Sequence, residues 1–145
     1  MKKKIYIGID PDVDKSGVAY YEKDTKVLEL SNLRYFQLYD YLKSIKEKQI
    51  DEEILVRVEC GFLNQSNWHK VKGTANINAK IGERTGANFE TAKKICEMCE
   101  YLGLKHEKVK PTRRKLNHKE FAQITNIINR TNQEQRDAGM LVYEH

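Results

Sequence analysis

The first ten residues constrain the fold more than any other part of the chain. Ile5, Ile7 and Ile9 recur with a period of two, which is the period of a β-strand with one buried face. Asp10 follows them directly, just before Pro11. The pattern therefore predicts a strand that carries a carboxylate at its C-terminal end.

The next segments extend this strand into a sheet. Residues 17–22 and 26–33 predict two further strands separated by short polar turns, so that the opening forms a three-stranded antiparallel meander. Apolar residues spaced three and four apart then predict a helix over residues 35–49. The dense β-branched run at 54–59 indicates a buried central strand, and it also ends on an acid, Glu59.

The second half alternates helix and strand. Residues 60–88 show no clear periodicity, which predicts a long loop with some helix, and loops of that length are usually functional. A helix is predicted from Phe89 to a stop at Gly103, and a short last strand over residues 105–109.

Two capping boxes predict the last two helices. In one, Asn117 precedes Glu120 by three residues, and in the other Thr131 precedes Glu134. The order of elements is then βββαβαβαα, which predicts a single α/β domain over residues 1–145.

The charge of the chain favours a polyanionic partner. Its 145 residues include 26 Lys and Arg against 21 Asp and Glu, for a net charge of +5. The excess is concentrated between residues 105 and 119, where Glu107 is the one acid. Seven basic residues lie in this segment: Lys105, Lys108, Lys110, Arg113, Arg114, Lys115 and Lys119. Such a patch suits phosphates, although a solvated loop and helix face would have the same composition.

Apolar runs and cysteines indicate the compartment. No apolar run approaches the roughly 20 residues of a membrane span, and three cysteines, an odd number, argue against a disulfide framework. We therefore expect a cytoplasmic protein with no membrane partner. Cys96 and Cys99 form a C-x-x-C motif, but both fall on the apolar stripe of a predicted helix, so core packing is favoured over a zinc or redox site.

Four acids form a candidate metal site. Asp10 and Glu59 end two strands that can be neighbours in one sheet, while Glu134 and Asp137, three residues apart, share one face of the last predicted helix. Hard cations such as Mg²⁺ take oxygen ligands, and phosphodiester hydrolysis by two such ions requires several converging carboxylates. The spacing therefore predicts a catalytic metal site.

Each acid also has a simpler interpretation. Asp10 before a proline could shape a turn, Glu59 could be a surface charge at a strand end, and Asp137 could face water. Glu134 could be only the capping-box partner of Thr131. A calcium loop beginning at Asp10 does not fit, because a lysine stands where that loop needs glycine and a tyrosine where it needs a bidentate glutamate.

Several motifs together resemble those of RuvC-type Holliday-junction resolvases of the ribonuclease-H-like superfamily. In chain order they are residues 7–11 (Ile-Gly-Ile-Asp-Pro), 17–19 (Gly-Val-Ala), 58–59 (Val-Glu), 81–87 (Ile-Gly-Glu-Arg-Thr-Gly-Ala), Pro111 with Arg114 and Lys115, and Glu134 with Asp137 and Ala138. The resemblance implies a ribonuclease-H-like fold with a central mixed five-stranded sheet flanked by helices. It implies an endonuclease that cuts branched DNA, most often four-way junctions, as a homodimer.

The resemblance also implies roles for single residues. Asp10, Glu59 and Asp137 would bind metal with Glu134 as a fourth ligand, and two Mg²⁺ or Mn²⁺ ions would be the cofactors. Lys115 and Lys119 match positions that in the family face the scissile phosphate or its neighbours. The other residues expected to contact DNA are Arg113, Arg114, Arg84, Trp68, Lys70 and Lys72, the last three because aromatic and basic residues of the long loop suit unstacked bases and phosphates. For the loop that carries Trp68, packing against a dimer partner is the alternative.

The sequence departs from the family at several points. Asp12 stands where the family usually has glycine, Glu134 where it often has Asp or His, and the stretch between Lys115 and Lys119 is short. These differences leave the metal preference open, and also the choice between junctions, flaps and nicks. The alternative function is a branched-DNA binding or scaffold protein with a weakened site. A nucleotide-handling enzyme of the same broad fold is disfavoured, because it would need a second lobe to close over the nucleotide and 145 residues leave no room for one.

Overall fold

A computed structural model describes residues 2–64, 75–111 and 115–145, without the side chains of 75–78. Its strands are β1 (Lys4–Asp10), β2 (Ser16–Glu22), β3 (Val27–Leu33), β4 (Glu53–Glu59) and β5 (Lys105–Val109). Its helices are α1 (Tyr35–Lys48), α2 (Ala75–Leu102), α3 (His118–Thr125) and α4 (Gln133–Val142), with a short 3-10 turn at Gly61–Leu63.

The five strands form one mixed sheet in the order β3-β2-β1-β4-β5. β1, β2 and β3 pair antiparallel, whereas β4 runs parallel to both β1 and β5. Ile9 is level with Val58, so Asp10 and Glu59 come next on adjacent parallel strands. The predicted order βββαβαβαα, the meander and the mixed five-stranded sheet are confirmed.

The alternation in β1 divides the molecule into two cores. Ile5, Ile7 and Ile9 are fully buried on the face that packs against α1 and α2. Tyr6 lies on the other face, where a smaller cluster is built around Tyr21, Ala138 and Val142. The sheet therefore has apolar clusters on both of its faces.

Two glycines let α4 lie very close to the sheet. A Cβ atom at Gly8 would lie 2.2 Å from the carbonyl oxygen of Ala138, and one at Gly17 would lie 2.1 Å from that of Glu134. Real side chains do not tolerate such distances. Glycine at both positions is therefore what allows the first half of α4 to lie across the ends of β1 and β2.

The stretch 60–88, predicted as a long loop with some helix, contains more helix than predicted, and the predicted helix start at Phe89 is wrong. Helix α2 already begins at Ala75, well before the predicted start at Phe89. The early turns contain Gly82 and Gly86, and a Cβ at either would meet open space. This stretch packs little apolar surface, so it lacks the periodic stripe on which a helix prediction depends. Residues 65–74 lie outside the described residues.

The predicted capping box of the last helix is shifted by one residue. Asn132, not Thr131, is the N-cap. Its side-chain oxygen accepts a hydrogen bond from the backbone amide of Gln135 at 2.9 Å, and the Gln135 side chain accepts one from the backbone amide of Asn132 at 3.1 Å. Thr131 is buried, and its hydroxyl contacts Arg136 and His118 instead. The simpler interpretation of Glu134 as a capping partner is therefore wrong. The box of Asn117 and Glu120 on α3 is confirmed.

Cys96 and Cys99 belong to the core, as predicted, and so does Cys60. Cys60, Cys96 and Cys99 are buried and none forms a disulfide. Among the described residues, no helix combines the length and apolar character needed to cross a membrane.

We expect Gly17→Ala to lower the free energy of unfolding by about 1–3 kcal/mol, because the added methyl group collides with the backbone of α4. Gly86→Ala is the matched control, since its Cβ meets no atom within 4 Å and alanine favours helix. Urea denaturation of both variants measures the difference. Equal stability of the two would contradict the close approach of α4.

Candidate active site

Three acids converge at one edge of the sheet. Asp10 ends β1, Glu59 ends β4, and Asp137 lies on α4. One carboxylate oxygen from each lies within 4.8 Å of those from the other two, and all three residues are partly buried. The topology explains the convergence: parallel pairing brings the ends of β1 and β4 together, and the packing of α4 at Gly8 brings the third acid.

Lys115 supplies a positive charge to this cluster. Its Nζ donates to Asp137 Oδ2 at 2.5 Å and lies 3.8 Å from Glu59 Oε1. The two acids are only 11% exposed at their side chains, whereas Lys115 is half exposed. The sequence predicted a phosphate contact for this lysine. The structure places its ammonium group directly on the acids.

The protonation behaviour of the acids reflects their crowding. Burial, followed by the charges of Glu59 and Asp137, raises the pKa of Asp10 from 3.8 to about 8, against the opposing effect of Lys115. Burial is also the main cause that raises the pKa of Glu59. A like charge or an apolar surrounding disfavours a carboxylate, so both effects have the same sign. The cluster has an excess of negative charge that a cation relieves.

The donor set fits a hard divalent cation. All three converging groups are carboxylates, which are the ligands that Mg²⁺ and Mn²⁺ prefer, and no thiol or imidazole takes part in the cluster found among the described residues. The residues that would hold the metal are therefore Asp10, Glu59 and Asp137.

Glu134 lies close to the cluster without being part of it. It is in the first turn of α4, where its backbone carbonyl meets Gly17. Its charge contributes to the raised pKa of Asp10, as the smallest of the named causes. Its role as a fourth metal ligand stays a prediction.

The other predicted site residues that the structure describes, Arg84 and Lys119, are not members of the acidic cluster. Arg84 Nη2 is bound to both carboxylate oxygens of Asp12, at 3.0 and 3.2 Å, and Asn88 also reaches Asp12. Lys119 is exposed in the first turn of α3. The predicted DNA contacts at Trp68, Lys70, Lys72, Arg113 and Arg114 lie outside the described residues.

The sequence analysis overlooked two residues beside the acids. Gln133 donates to Asp137 Oδ1 at 2.7 Å, and Arg136 donates to Gln133 Oε1 at 3.2 Å. The four-residue spacing of Gln133 and Asp137 on one helix was an available signal, since such pairs face each other. The contact of Arg136 depends on side-chain conformation that the spacing does not specify.

Comparison with known proteins finds similarity in structure but not in sequence. No protein-family model and no curated protein sequence matches the chain. Among solved structures, the chain is similar to T. thermophilus RuvC in complex with Holliday junction substrate, at a TM-score of 0.51 over 98% of this chain and 92% of that one. The chain has a ribonuclease-H-like fold. At 12% identity the similarity describes the fold, and the roles of single residues depend on the geometry above.

We expect Asp10→Asn to stabilise the metal-free protein at high pH. The folded pKa of Asp10 lies far above its unfolded value, so stability is lost as pH rises from about 4 to about 8, where the unfolded chain releases the proton more readily. In EDTA the variant should melt at least about 2 °C above the wild type at pH 8, and the two melting curves should converge near pH 4. Asp24→Asn, in an exposed turn, is the control. Parallel pH profiles of wild type and Asp10→Asn would contradict the crowding.

We expect Lys115→Met to have the opposite effect in EDTA, because it removes the positive charge that lies between Glu59 and Asp137. Its melting temperature should fall below that of the exposed-lysine control Lys119→Met. Added Mn²⁺ should then raise the melting temperature of Lys115→Met more than that of the wild type, since the ion replaces the missing charge. An unchanged melting temperature in EDTA would show that Lys115 does not neutralise the acids.

Proposed function

We propose that this protein is a metal-dependent, structure-selective endonuclease that cuts branched DNA and resolves four-way junctions by paired nicks. The observation that supports the proposal most strongly is the convergence of three carboxylate oxygens within 4.8 Å at the carboxyl edge of a ribonuclease-H-like sheet. On this proposal residues 1–145 act as one nuclease domain.

Asp10, Glu59 and Asp137 hold two Mg²⁺ or Mn²⁺ ions, with Glu134 as a further ligand from the start of α4. When bound, such ions lower the pKa of the attacking water and stabilise the leaving oxygen of the phosphodiester. The fold holds the three carboxylates together, and a bound cation would favour their ionised forms. Lys115, half exposed beside the acids, holds the phosphate group that is cut.

DNA is bound by a set of mainly basic residues, of which Lys115 lies beside the acids. Lys115, Lys119 and Arg84 belong to the described chain, and Arg113, Arg114, Trp68, Lys70 and Lys72 complete the proposed DNA-binding set. The net charge of +5 favours association with a polyanion. The similar RuvC structure contains a Holliday junction substrate, which supports a branched substrate for this chain as well.

Paired nicks require two active sites, and an exposed aromatic face offers a place for a second copy. Four aromatic residues of α1 and α2 line a groove of about 410 Å³: Tyr35, Phe36, Tyr39 and Tyr101. Phe36 is 78% exposed and Tyr101 is 80% exposed. The neighbouring pair of Lys94 and Glu97 carries both signs of charge, which two copies related by a twofold axis can match to each other.

We expect sedimentation to show a homodimer at micromolar concentration and Phe36→Ser to dissociate it, because the exposed ring contributes to the interface and not to the core. Ile128→Ser, at a similarly exposed apolar residue, should leave the dimer intact. A monomeric wild type would contradict the twofold arrangement while leaving the metal site untested by this measurement.

We expect purified protein to introduce symmetric paired nicks into a labelled synthetic four-way junction with Mg²⁺ or Mn²⁺. EDTA should abolish cutting, and so should Asp10→Asn, whereas the control Asp24→Asn should cut normally. Binding of the junction by Asp10→Asn should persist, since phosphate contacts come from other residues. A flap and a plain duplex of the same sequence measure the substrate preference. Junction binding by the wild type without any metal-dependent cutting would favour a scaffold protein instead.

A further inference from the structure

Both carboxylate oxygens of Asp137 are occupied by donors from the protein. Lys115 Nζ donates to Oδ2 at 2.5 Å, and Gln133 Nε2 donates to Oδ1 at 2.7 Å. Gln133 precedes Asp137 by four residues on α4, so the two side chains lie over one another. The carboxylate is thereby held between two donors that approach from different elements.

The orientation of the Gln133 amide is fixed by Arg136. A glutamine amide has one accepting and one donating end, and a hydrogen-bond partner decides which end faces which way. Arg136 Nη2 donates to Gln133 Oε1 at 3.2 Å. A guanidinium group cannot accept a hydrogen bond, so it turns the amide oxygen toward itself. The donating end of Gln133 is consequently directed at Asp137.

Arg136 also connects this pair to the segment that carries Lys115. Its Nε donates to the carbonyl oxygen of Leu116 at 2.9 Å. Its Nη1 donates to the carbonyl oxygen of Thr131 at 2.6 Å and to Thr131 Oγ1 at 3.2 Å. The planar fork of arginine suits such a set of fixed acceptors, and lysine cannot reproduce it.

We propose that Gln133 and Arg136 are positioning residues of the metal site: Gln133 orients the carboxylate of Asp137, and Arg136 fixes both that amide and the segment that carries Lys115. This inference rests on the proposed function, because it assigns these residues to the same metal site. Neither residue needs to touch metal or DNA. Removing a hydrogen-bond partner of a metal ligand typically weakens metal binding about 10–100-fold.

If Gln133 had a purely structural role, its loss would lower stability without a specific effect on metal binding. A substitution of Gln135 distinguishes this structural role from the positioning role. Gln135 lies on the same helix and forms the capping-box bonds with Asn132. Gln135→Met therefore removes the hydrogen bond that the Gln135 side chain accepts from the Asn132 amide, without touching the donor of Asp137. Gln133→Met makes the same chemical change at the residue that does touch it.

The test is calorimetric titration of Mn²⁺ into the full chain without DNA, with melting temperatures recorded for each variant. Gln133→Met should weaken Mn²⁺ binding about 10-fold or more. Arg136→Lys, which keeps the charge but loses the fork, should weaken it as well. Gln135→Met should lower the melting temperature and leave Mn²⁺ affinity within about twofold of the wild type, because it removes one capping-box bond while the N-cap bond of Asn132 remains.

Wild-type Mn²⁺ affinity in Gln133→Met, or an equal loss in Gln135→Met, would overturn the positioning role even if the wild type binds metal and cuts junctions. A wild type that binds no Mn²⁺ would instead overturn the proposed function together with this inference. Cleavage provides a second readout: raising Mn²⁺ should restore cutting by Gln133→Met but not by Asp137→Asn, which lacks the ligand itself.

Discussion

Mutual repulsion among three partly buried carboxylates is the constraint around which the functional end of this molecule is arranged. Asp10, Glu59 and Asp137 would separate if their backbones were free to move, because like charges at these distances strongly disfavour one another. Their convergence is imposed by the fold. Parallel pairing of β1 with β4 fixes two of them, and the packing of α4 against Gly8 and Gly17 fixes the third.

The stability needed to impose this arrangement comes from elsewhere in the chain. The larger core lies between the sheet and helices α1 and α2, on the face opposite α4. That core contains Ile5, Ile7 and Ile9, which belong to the same strand as Asp10. The strand therefore buries its apolar side chains in one layer and presents its acid at the end. Local compensation comes from Lys115, whose ammonium group lies between two of the acids.

The sequence predicted the parts of the fold and site that depend on backbone periodicity. Alternation placed Asp10 at the end of one strand, and a dense β-branched run placed Glu59 at the end of another. The three-residue spacing of Glu134 and Asp137 placed both acids on one face of a predicted helix. The start of α2 was not predictable in the same way, because a side chain at Gly82 or Gly86 would meet open space and the stretch around them lacks an apolar pattern. A helix with little buried surface leaves little trace in the sequence.

Side-chain networks were the other part that the sequence did not specify. The shift of the cap from Thr131 to Asn132 depends on which hydroxyl or amide the fold buries. The hydrogen bond of Arg136 to Leu116 joins two positions that are 20 residues apart in the chain. Its hydrogen bond to Gln133 lies within one turn of α4. Such contacts depend on rotamers and on the final packing of α4, neither of which follows from spacing alone.

The most direct test of the central claim is a crystal structure of the protein soaked in Mn²⁺, with anomalous scattering measured at the manganese edge. The account predicts anomalous peaks within coordination distance of Asp10, Glu59 and Asp137, with the ammonium group of Lys115 moved away from the acids to make room. Crystals of Mn²⁺-treated protein with no peak among these carboxylates, and with Lys115 still bound to Asp137, would contradict it.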